Sequence, residues 1–456
     1  MNVKRSLSRR SLAPLRVGEG TGEGCGGGAV PRKLFVLSLD GTPYTLLNDA
    51  IAQGRLPHLR QLFAQGSFVQ MDSVIPTISS VAWATFATGV NPARHGIFGF
   101  IDLDPQMRFI IPNATHLTEK PLWQRLHDAG LRSIWVNLPI AYPPAPINGV
   151  MISGFLGTQL EESVHPPHVL PVLRRLGYVI DPDPARAHTD PAGFLEDLFS
   201  ALRARAQLTW YLLEREPWDF FLLHIMETDR LHHFYWDAQD DPHHPYHAPF
   251  WRLYSEIDAL VGELVERLPK GCELLLLSDH GFCRITSEVE LNLLLHEREF
   301  LKFRNGPPQD FSELSPHTRA FGLIPGRLYV RDRDYERTRS ELIELLEGLT
   351  DPHTQRPVIA RAWRREEIYS GPQLSRAADI IAVPHNGYDL KARLGATRLF
   401  TTSRLQGMHT GDDAFLFVRG HQLHTQPKPQ LVDLAPTLYA LMGVPAPTGW
   451  EGRTLL

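Results

Sequence analysis

Three short apolar runs, each followed by an acidic residue, constrain the fold of this chain more than any other feature. They are Lys33–Leu39, which ends at Asp40; Asp219–Met226, which ends at Glu227-Thr228-Asp229; and Glu273–Leu277, which ends at Ser278-Asp279-His280. A continuous apolar run of this length predicts a strand buried on both faces, which is typical of a parallel sheet. The pattern therefore predicts three parallel strands that deliver acidic side chains to one edge.

Further apolar runs and helical patterns complete this fold prediction. Additional strands are predicted at Ser133–Val136, Ile380–Val383 and Ala414–Val418, and helices at Pro57–Gln65 (with Gly66 as the stop), Ala192–Arg215, Pro249–Leu268 and Leu431–Met442. Strands that alternate with helices predict an α/β fold with a doubly wound, mostly parallel sheet and helices on both faces. Ligands of such sheets bind beyond the carboxyl ends of the strands.

Two segments depart from this pattern. Residues 307–373 are rich in Arg, Glu and Pro and predict an inserted cap, to which residues 98–118 would contribute. Residues 1–32 are basic and then glycine-rich, which predicts a disordered tail or a wrongly assigned start. Arg9 and Arg10 would suit an export signal, but no apolar region follows them, so we expect a cytoplasmic location.

Composition excludes several classes of protein. The 456 residues carry a net charge of -5 with scattered basic residues, which argues against a nucleic-acid polymer as partner. No run of about 18 apolar residues occurs, so no membrane span is predicted. The three cysteines, Cys25, Cys272 and Cys283, show no CxxC spacing, which excludes a cysteine zinc site. The oligomeric state is left open.

Aspartate and histidine residues cluster around the predicted strand ends. Asp229 and His233 are four residues apart and share one face of a helical turn. Asp279 and His280 directly follow a strand, and His409 is predicted on a loop before Ala414–Val418. A single aspartate at a strand end is usually a turn or cap residue, but the whole set favours a metal centre. Carboxylate and imidazole ligands suit Zn²⁺, with Mn²⁺ as the alternative.

A candidate nucleophile precedes a predicted helix. Ser80–Thr88 is predicted to be helical and to end at Gly89, with Ser79 at or next to the N-cap. Serine is common at that position simply as a cap. A helix N-terminus also suits a phosphate, and a bound ion can convert a serine hydroxyl into a nucleophile. Ser79 is therefore a candidate for both roles.

These motifs resemble those of the alkaline phosphatase superfamily, in particular its type I phosphodiesterase/nucleotide pyrophosphatase branch, with the bacterial phosphohydrolase/phosphomutase proteins. The matching residues are Leu39-Asp40-Gly41, Ser79 before Ala82-Trp83, Asn91–Gly96, Asp229 with His233, Ser278–Gly281, and Gly407 with His409. The resemblance runs from about Lys33 to the C-terminus. It implies one alkaline-phosphatase-like catalytic domain over residues 33–456.

The resemblance also implies two metal ions and a covalent mechanism. One ion would be held by Asp229, His233 and His409, and the other by Asp40, Asp279, His280 and the Ser79 hydroxyl. Ser79 would displace the leaving group of a small-molecule phosphate ester, and water would then cleave the phosphoserine. Many relatives carry threonine as the nucleophile. Nucleotide pyrophosphatases have asparagine where this chain has Ala82, which puts nucleotide substrates in doubt.

Charge near the nucleophile favours phosphate diesters. A monoester dianion needs cations beyond the two metals, and alkaline phosphatases place an arginine where this chain has Ser80. The predicted helix carries Arg94 and His95 away from its phosphate-facing end, and Arg230 is the main rival cation. We therefore expect diesters, or monoesters bound as monoanions.

Three alternatives stay open at this stage. A phosphomutase would use the same ligand set and return the phosphoryl group to a substrate hydroxyl. A sulfatase is disfavoured, because Ser79 is not followed by the Pro and Arg of that motif. A catalytically inactive metal-binding scaffold is the alternative from outside enzymes.

Overall fold

A computed structural model describes residues 31–304, 306 and 310–456. Its strands are β1 (Leu34–Leu39), β2 (Gly66–Met71), β3 (Asp102–Leu103), β4 (Phe109–Ile110), β5 (Ser133–Leu138), β6 (Gly149–Ser153), β7 (Val164–His165), β8 (Phe220–Ile225), β9 (Glu273–Leu277), β10 (Gly281–Arg284), β11 (Ser287–Glu290), β12 (Ala320–Leu323), β13 (Arg327–Val330), β14 (Ile359–Arg364), β15 (Ile380–Pro384), β16 (Tyr388–Lys391), β17 (Phe400–Thr401), β18 (Gly407–Thr410) and β19 (Ala414–Arg419).

The α-helices lie between these strands in the chain. They are α1 (Tyr44–Ala52), α2 (Pro57–Phe63), α3 (Ser79–Thr88), α4 (Pro92–His95), α5 (Leu122–Asp128), α6 (Leu170–Arg175), α7 (Arg186–Thr189), α8 (Pro191–Arg215), α9 (Glu227–Tyr235), α10 (His247–Arg267), α11 (Leu291–Glu297), α12 (Tyr335–Glu347), α13 (Arg365–Ile368) and α14 (Leu434–Met442). None of these helices is both long and apolar enough to cross a bilayer. The predicted tail lies outside the described residues, apart from Pro31 and Arg32.

An eight-stranded sheet forms the centre of the fold, in the order β2-β19-β9-β1-β8-β5-β6-β7. β1 pairs in parallel with both β8 and β9, and β5 pairs in parallel with β8 and β6. β19 is antiparallel to β9 and β2, and β7 is antiparallel to β6. The predicted doubly wound, mostly parallel sheet is therefore confirmed.

Apolar helices cover both faces of this sheet. Alternate side chains of a strand point to opposite faces. Phe35 and Leu37 of β1 pack in the same apolar cluster as α8 and α10, whereas Leu34 and Val36 pack with α3, α5 and α14. This double burial explains why β1 is apolar at nearly every position.

Ile380–Val383 was correctly predicted as a strand, but it lies outside the central sheet. It forms most of β15, which belongs to an antiparallel four-stranded sheet in the order β12-β13-β15-β14. This smaller sheet packs with α11 and α12 over its own apolar cluster. Apolar periodicity reports burial and says nothing about which strand is the partner, which is why the sequence assigned β15 to the wrong sheet. The sheet spans Ala320 to Pro384, whereas the cap was predicted at 307–373.

The predicted helix stop at Gly66 is also wrong in detail. α2 ends at Phe63, and Gly66 is the first residue of β2. A Cβ at Gly66 would lie 2.1 Å from the carbonyl oxygen of Val418 in β19. The glycine therefore permits a close approach of two strands rather than ending a helix.

Candidate active site

The carboxyl ends of β9, β1 and β8 deliver the predicted acidic residues to one place, because these strands are neighbours in that order. Asp40 follows β1, and Asp229 lies in the first turn of α9 after β8. Asp279 and His280 follow β9 directly. All three aspartates are buried, with at most 2% of their surface exposed.

Ser79 is the first residue of α3, and its side chain faces this cluster. The N-cap is Ile78, and no side chain caps this helix. The Ser79 Oγ instead lies 3.1 Å from His280 Nε2 and 3.5 Å from Asp40 Oδ1. The first intrahelical bond is donated by the Val81 N–H to Ile78. Ser79 is therefore not a simple capping residue, and the N–H groups at the helix start are available to an anion.

Asp229, His233 and His409 form one group that could hold a metal ion. Asp229 Oδ1 lies 3.4 Å from His233 Nε2 and 3.3 Å from His409 Nε2, and the two Nε2 atoms are 3.1 Å apart. His233 Nδ1 donates to the Gly407 carbonyl oxygen at 3.0 Å. In the neutral ring Nε2 is then unprotonated, and its lone pair is available to a metal ion. Three ligand atoms thus converge on one point.

The sequence placed His409 on a loop, and the structure corrects this. His409 lies within β18, which pairs antiparallel with β10 and sets His409 opposite Phe282. The strand has only four residues, and it begins with Gly407 and ends with Thr410. Its apolar pattern is therefore too weak to predict a strand. Pairing with the chain segment that directly follows His280 brings the two imidazoles together, with ring centroids 3.7 Å apart.

Asp40, Asp229 and His280 form a second group that could hold a metal ion. His280 Nδ1 donates to the Gly281 carbonyl oxygen at 3.0 Å. Its Nε2 is therefore unprotonated in the neutral ring and faces the Ser79 hydroxyl. Asp279 lies at the edge of this group, with Oδ2 3.5 Å from His280 Nε2. The resemblance assigned Asp279 rather than Asp229 to this set, and in the structure Asp229 faces both groups.

Charge in the cluster fits divalent cations. Burial and repulsion from Asp40 raise the pKa of Asp279 well above its usual range. Among the described residues Asp279 Oδ2 and Asp229 Oδ1 have no hydrogen-bond donor although both are buried. Burial lowers the pKa of His233 to about 4 and that of His280 well below its usual range, so both rings are neutral ligands at pH 7. Crowded carboxylates beside neutral imidazoles are what a cation site requires.

Two neighbours of Asp40 were not assigned a role from the sequence. Trp83 Nε1 donates to Asp40 Oδ2 at 3.2 Å, and His224 Nε2 lies 3.1 Å from the same oxygen. His224 Nδ1 is 2.9 Å from the Ser38 hydroxyl, its register partner in β1. The Trp83 hydrogen bond holds Oδ2, whereas His224 Nε2 approaches this oxygen without forming a hydrogen bond. Asp40 Oδ1 faces Ser79 and His280. A lone histidine in the apolar run of β8 was the available signal.

We expect Trp83→Phe to weaken metal binding at the Asp40 group by roughly tenfold, as for other hydrogen-bond partners of metal ligands. The substitution removes the bond to Asp40 Oδ2 but keeps an aromatic ring in the core. Titration against a competing chelator measures the metal affinity of the wild-type protein and of the variant. Trp123→Phe is the matched control, because Trp123 is buried in α5 and packs on Trp135. An equal loss in both variants would contradict the positioning role.

The three candidate cations named from the sequence offer no free positive charge to a substrate. Arg94 donates to Glu119 at 2.7 Å, and His95 is buried with its Nε2 3.1 Å from Thr85 Oγ1. Arg230 lies between two carboxylates, with Asp181 at 2.5 Å and Asp229 at 3.0 Å. None of these side chains adds uncompensated positive charge beside Ser79.

Fold and site agree with the class that the sequence predicted, a metal-dependent phosphoric ester hydrolase of the alkaline phosphatase superfamily. A sequence model of the type I phosphodiesterase/nucleotide pyrophosphatase family matches residues 34–412. The chain belongs to this family.

Solved structures share the fold at low sequence identity. Phosphonoacetate hydrolase from Sinorhizobium meliloti 1021, in complex with phosphonoacetate, superposes with a TM-score of 0.63 at 19% identity, over 91% of this chain and 96% of that one. Human ectonucleotide pyrophosphatase/phosphodiesterase 5 gives 0.57 at 18% identity, over 92% and 97%. An inactive variant of the murine enzyme in complex with AMP gives 0.55 at 17%, over the same shares.

Proposed function

We propose that this chain hydrolyses a small-molecule phosphate diester, with Ser79 as nucleophile and two divalent ions as cofactors. The observation that carries the proposal is the position of the Ser79 hydroxyl at the start of α3, between Asp40 Oδ1 and His280 Nε2. The group of Asp229, His233 and His409 lies directly beside it, since His280 and His409 stack. Two ligand sets and a nucleophile thus share one cluster.

The side chains have distinct parts in this mechanism. The N–H groups at the start of α3 bind a non-bridging phosphate oxygen while Ser79 Oγ attacks phosphorus. The new Oγ–P bond forms as the bond to the leaving oxygen breaks, and the hydroxyl proton passes through solvent to that oxygen, which departs as an alcohol. Water then attacks phosphorus, and the Oγ–P bond breaks to regenerate the hydroxyl. His280 and Asp40 hold Oγ in place for both steps.

The ligand sets suit two ions, with Zn²⁺ favoured because all donors other than the Ser79 hydroxyl are carboxylate oxygens and imidazole nitrogens. When bound, such ions would lower the pKa of the serine hydroxyl and stabilise charge on the departing oxygen. Asp229, His233 and His409 would hold one ion. Asp40, His280 and Ser79 would hold the other, with Asp279 as a further carboxylate. We also propose that the four-stranded sheet region is the predicted cap.

The paired state of the nearby cations supports the preference for diesters. A diester carries one negative charge, and the monoester dianion would bring a second charge that Arg94 and Arg230 cannot offset, because carboxylates hold both. Ala82 is buried in α3 and has no polar side-chain group for a phosphate oxygen. A phosphate oxygen of a nucleotide would thus lack, at this position, the asparagine amide that nucleotide pyrophosphatases carry.

We expect kcat/KM for bis-p-nitrophenyl phosphate to exceed that for p-nitrophenyl phosphate by at least about tenfold on one metal-reconstituted preparation. Phosphorus products should appear without added alcohol, which separates hydrolysis from phosphoryl transfer. Phosphonoacetate, the ligand of one structural relative, belongs in the same panel. A clear preference for the monoester would show that a further cation reaches the substrate, and absence of turnover with every ester would reject the hydrolase function.

A further inference from the structure

A cavity of about 980 Å³ opens beside His233 and His409. Its volume lies near the upper end for sites that enclose a drug-sized ligand, and it far exceeds the space needed by a phosphoryl group. One wall comes from the segment before α3, including Ile75, Pro76 and Ile78. Other lining residues belong to the four-stranded sheet and to its β12–β13 turn. The cavity therefore continues the candidate active site away from the nucleophile.

The walls are mainly apolar. Phe100 and Met408 line the cavity together with Ile324, Pro325 and Val383 of the four-stranded sheet region. Phe100 stacks on Phe155 at 5.6 Å between ring centroids, which stiffens that part of the wall. Apolar and aromatic side chains of this kind gain free energy when they exclude water from an apolar ligand group.

The charged groups of the cavity leave no spare cation. Lys391 is the one lysine or arginine among the described lining residues, and its Nζ lies 2.6 Å from Asp389. Asp72 pairs with Lys428 at 2.6 Å, and Asp412 is a third lining carboxylate, on the exposed rim. Apart from the ion proposed at His233 and His409, which the phosphoryl group would neutralise, a negatively charged group that entered the cavity would lose water without gaining a partner.

We propose that one ester group of the substrate is an uncharged apolar group, aliphatic or aromatic, that binds in this cavity while the phosphoryl group lies at Ser79. The inference rests on the proposed function and names its substrate class. It also assigns the selectivity to the four-stranded sheet, whose Val383 side chain lies on the cavity wall.

Simple phosphonates test this assignment, because the phosphonate head is constant and only one group varies. We expect affinity for the metal-reconstituted protein to rise from methylphosphonate to butylphosphonate by at least about tenfold, since full burial gives roughly fourfold per methylene. Benzylphosphonate should bind at least as tightly as butylphosphonate. 3-Carboxypropylphosphonate should bind no better than methylphosphonate. Isothermal titration calorimetry measures these affinities without requiring turnover.

A cavity variant locates the effect. Val383→Asp should abolish the gain of butyl over methyl and leave methylphosphonate within about threefold, whereas Val330→Asp, on the same sheet but not lining the cavity, should keep the gain. Val383→Thr, which keeps the side-chain shape, should lose part of the gain of butylphosphonate over methylphosphonate. Equal affinity for all four phosphonates, together with turnover of a diester, would overturn the cavity inference alone. Graded binding without turnover of any ester would reject the hydrolase function alone.

Discussion

Replacement of Ser79 by alanine is expected to lower kcat by at least about three orders of magnitude, the scale seen when other covalent enzymes lose their nucleophile. The physical reason is the position of its hydroxyl, held between His280 and Asp40 at the start of α3. Because alanine removes only Oγ, metal content should stay near the wild-type value apart from weaker binding at the Asp40 group. Stopped assays with a p-nitrophenyl diester measure the loss.

Two neighbouring hydroxyls provide the controls. Thr77 Oγ1 donates to the Val74 carbonyl oxygen at 2.9 Å, and Ser80 Oγ is buried without a hydrogen-bond partner among the described residues. Thr77→Ala and Ser80→Ala should each retain most of the turnover. Near wild-type activity of Ser79→Ala with an inactive Thr77→Ala would transfer the nucleophile role to Thr77. Trapping of the p-nitrophenyl phosphoryl group on Ser79, found by mass spectrometry after an acid quench, would support the covalent step directly.

The second large effect is expected from the metals. The purified protein should contain about two divalent ions per chain. Their removal by chelation should lower turnover by at least about a thousandfold, because each ion stabilises the charge that develops in the transition state by several kcal/mol. Added Zn²⁺ or Mn²⁺ should restore activity. Elemental analysis measures the metal content, and assays before and after metal addition measure the loss and recovery of activity. A metal-free preparation that turns over normally would reject this role of the cluster.

Asp279→Asn should reduce occupancy of one site and spare the other. The variant removes one of the carboxylates beside His280, while the group of Asp229, His233 and His409 keeps its ligands. Loss of this charge also relieves the repulsion from Asp40, so the variant should fold. Asp351→Asn is the control for loss of a buried carboxylate, because Asp351 lies between α12 and β14. Loss of both ions in Asp279→Asn would show that the two sites are not independent.

Local sequence was sufficient for much of the central fold. After the leading Glu273 of β9, the strands β1, β8 and β9 carry no polar residue except Ser38 and His224, a composition that suits a strand covered on both faces. The spacing of Asp229 and His233 predicted a shared helix face, and α9 confirms it. These features depend on residues close together in the chain, which is why they could be predicted.

Other parts required contacts between distant segments. The sequence could not show that β15 pairs with β13 and β14, because the same apolar run would suit the central sheet. It also missed β18, whose pairing with β10 carries His409 to His280. The hydrogen-bond partners of a strand lie elsewhere in the chain, and periodicity within the strand carries no information about them.

By itself, then, the sequence determined which side chains stand at the ends of buried strands, because burial and helical spacing are local properties. The resemblance to a family added their grouping. Only the tertiary structure decided that Ser79 faces Asp40 and His280 rather than capping α3, that Asp229 belongs to both candidate ligand groups, and that Trp83 donates a hydrogen bond to Asp40. Those relations depend on the order β9-β1-β8 and on the packing of α3 against that edge, which are set by contacts over hundreds of residues.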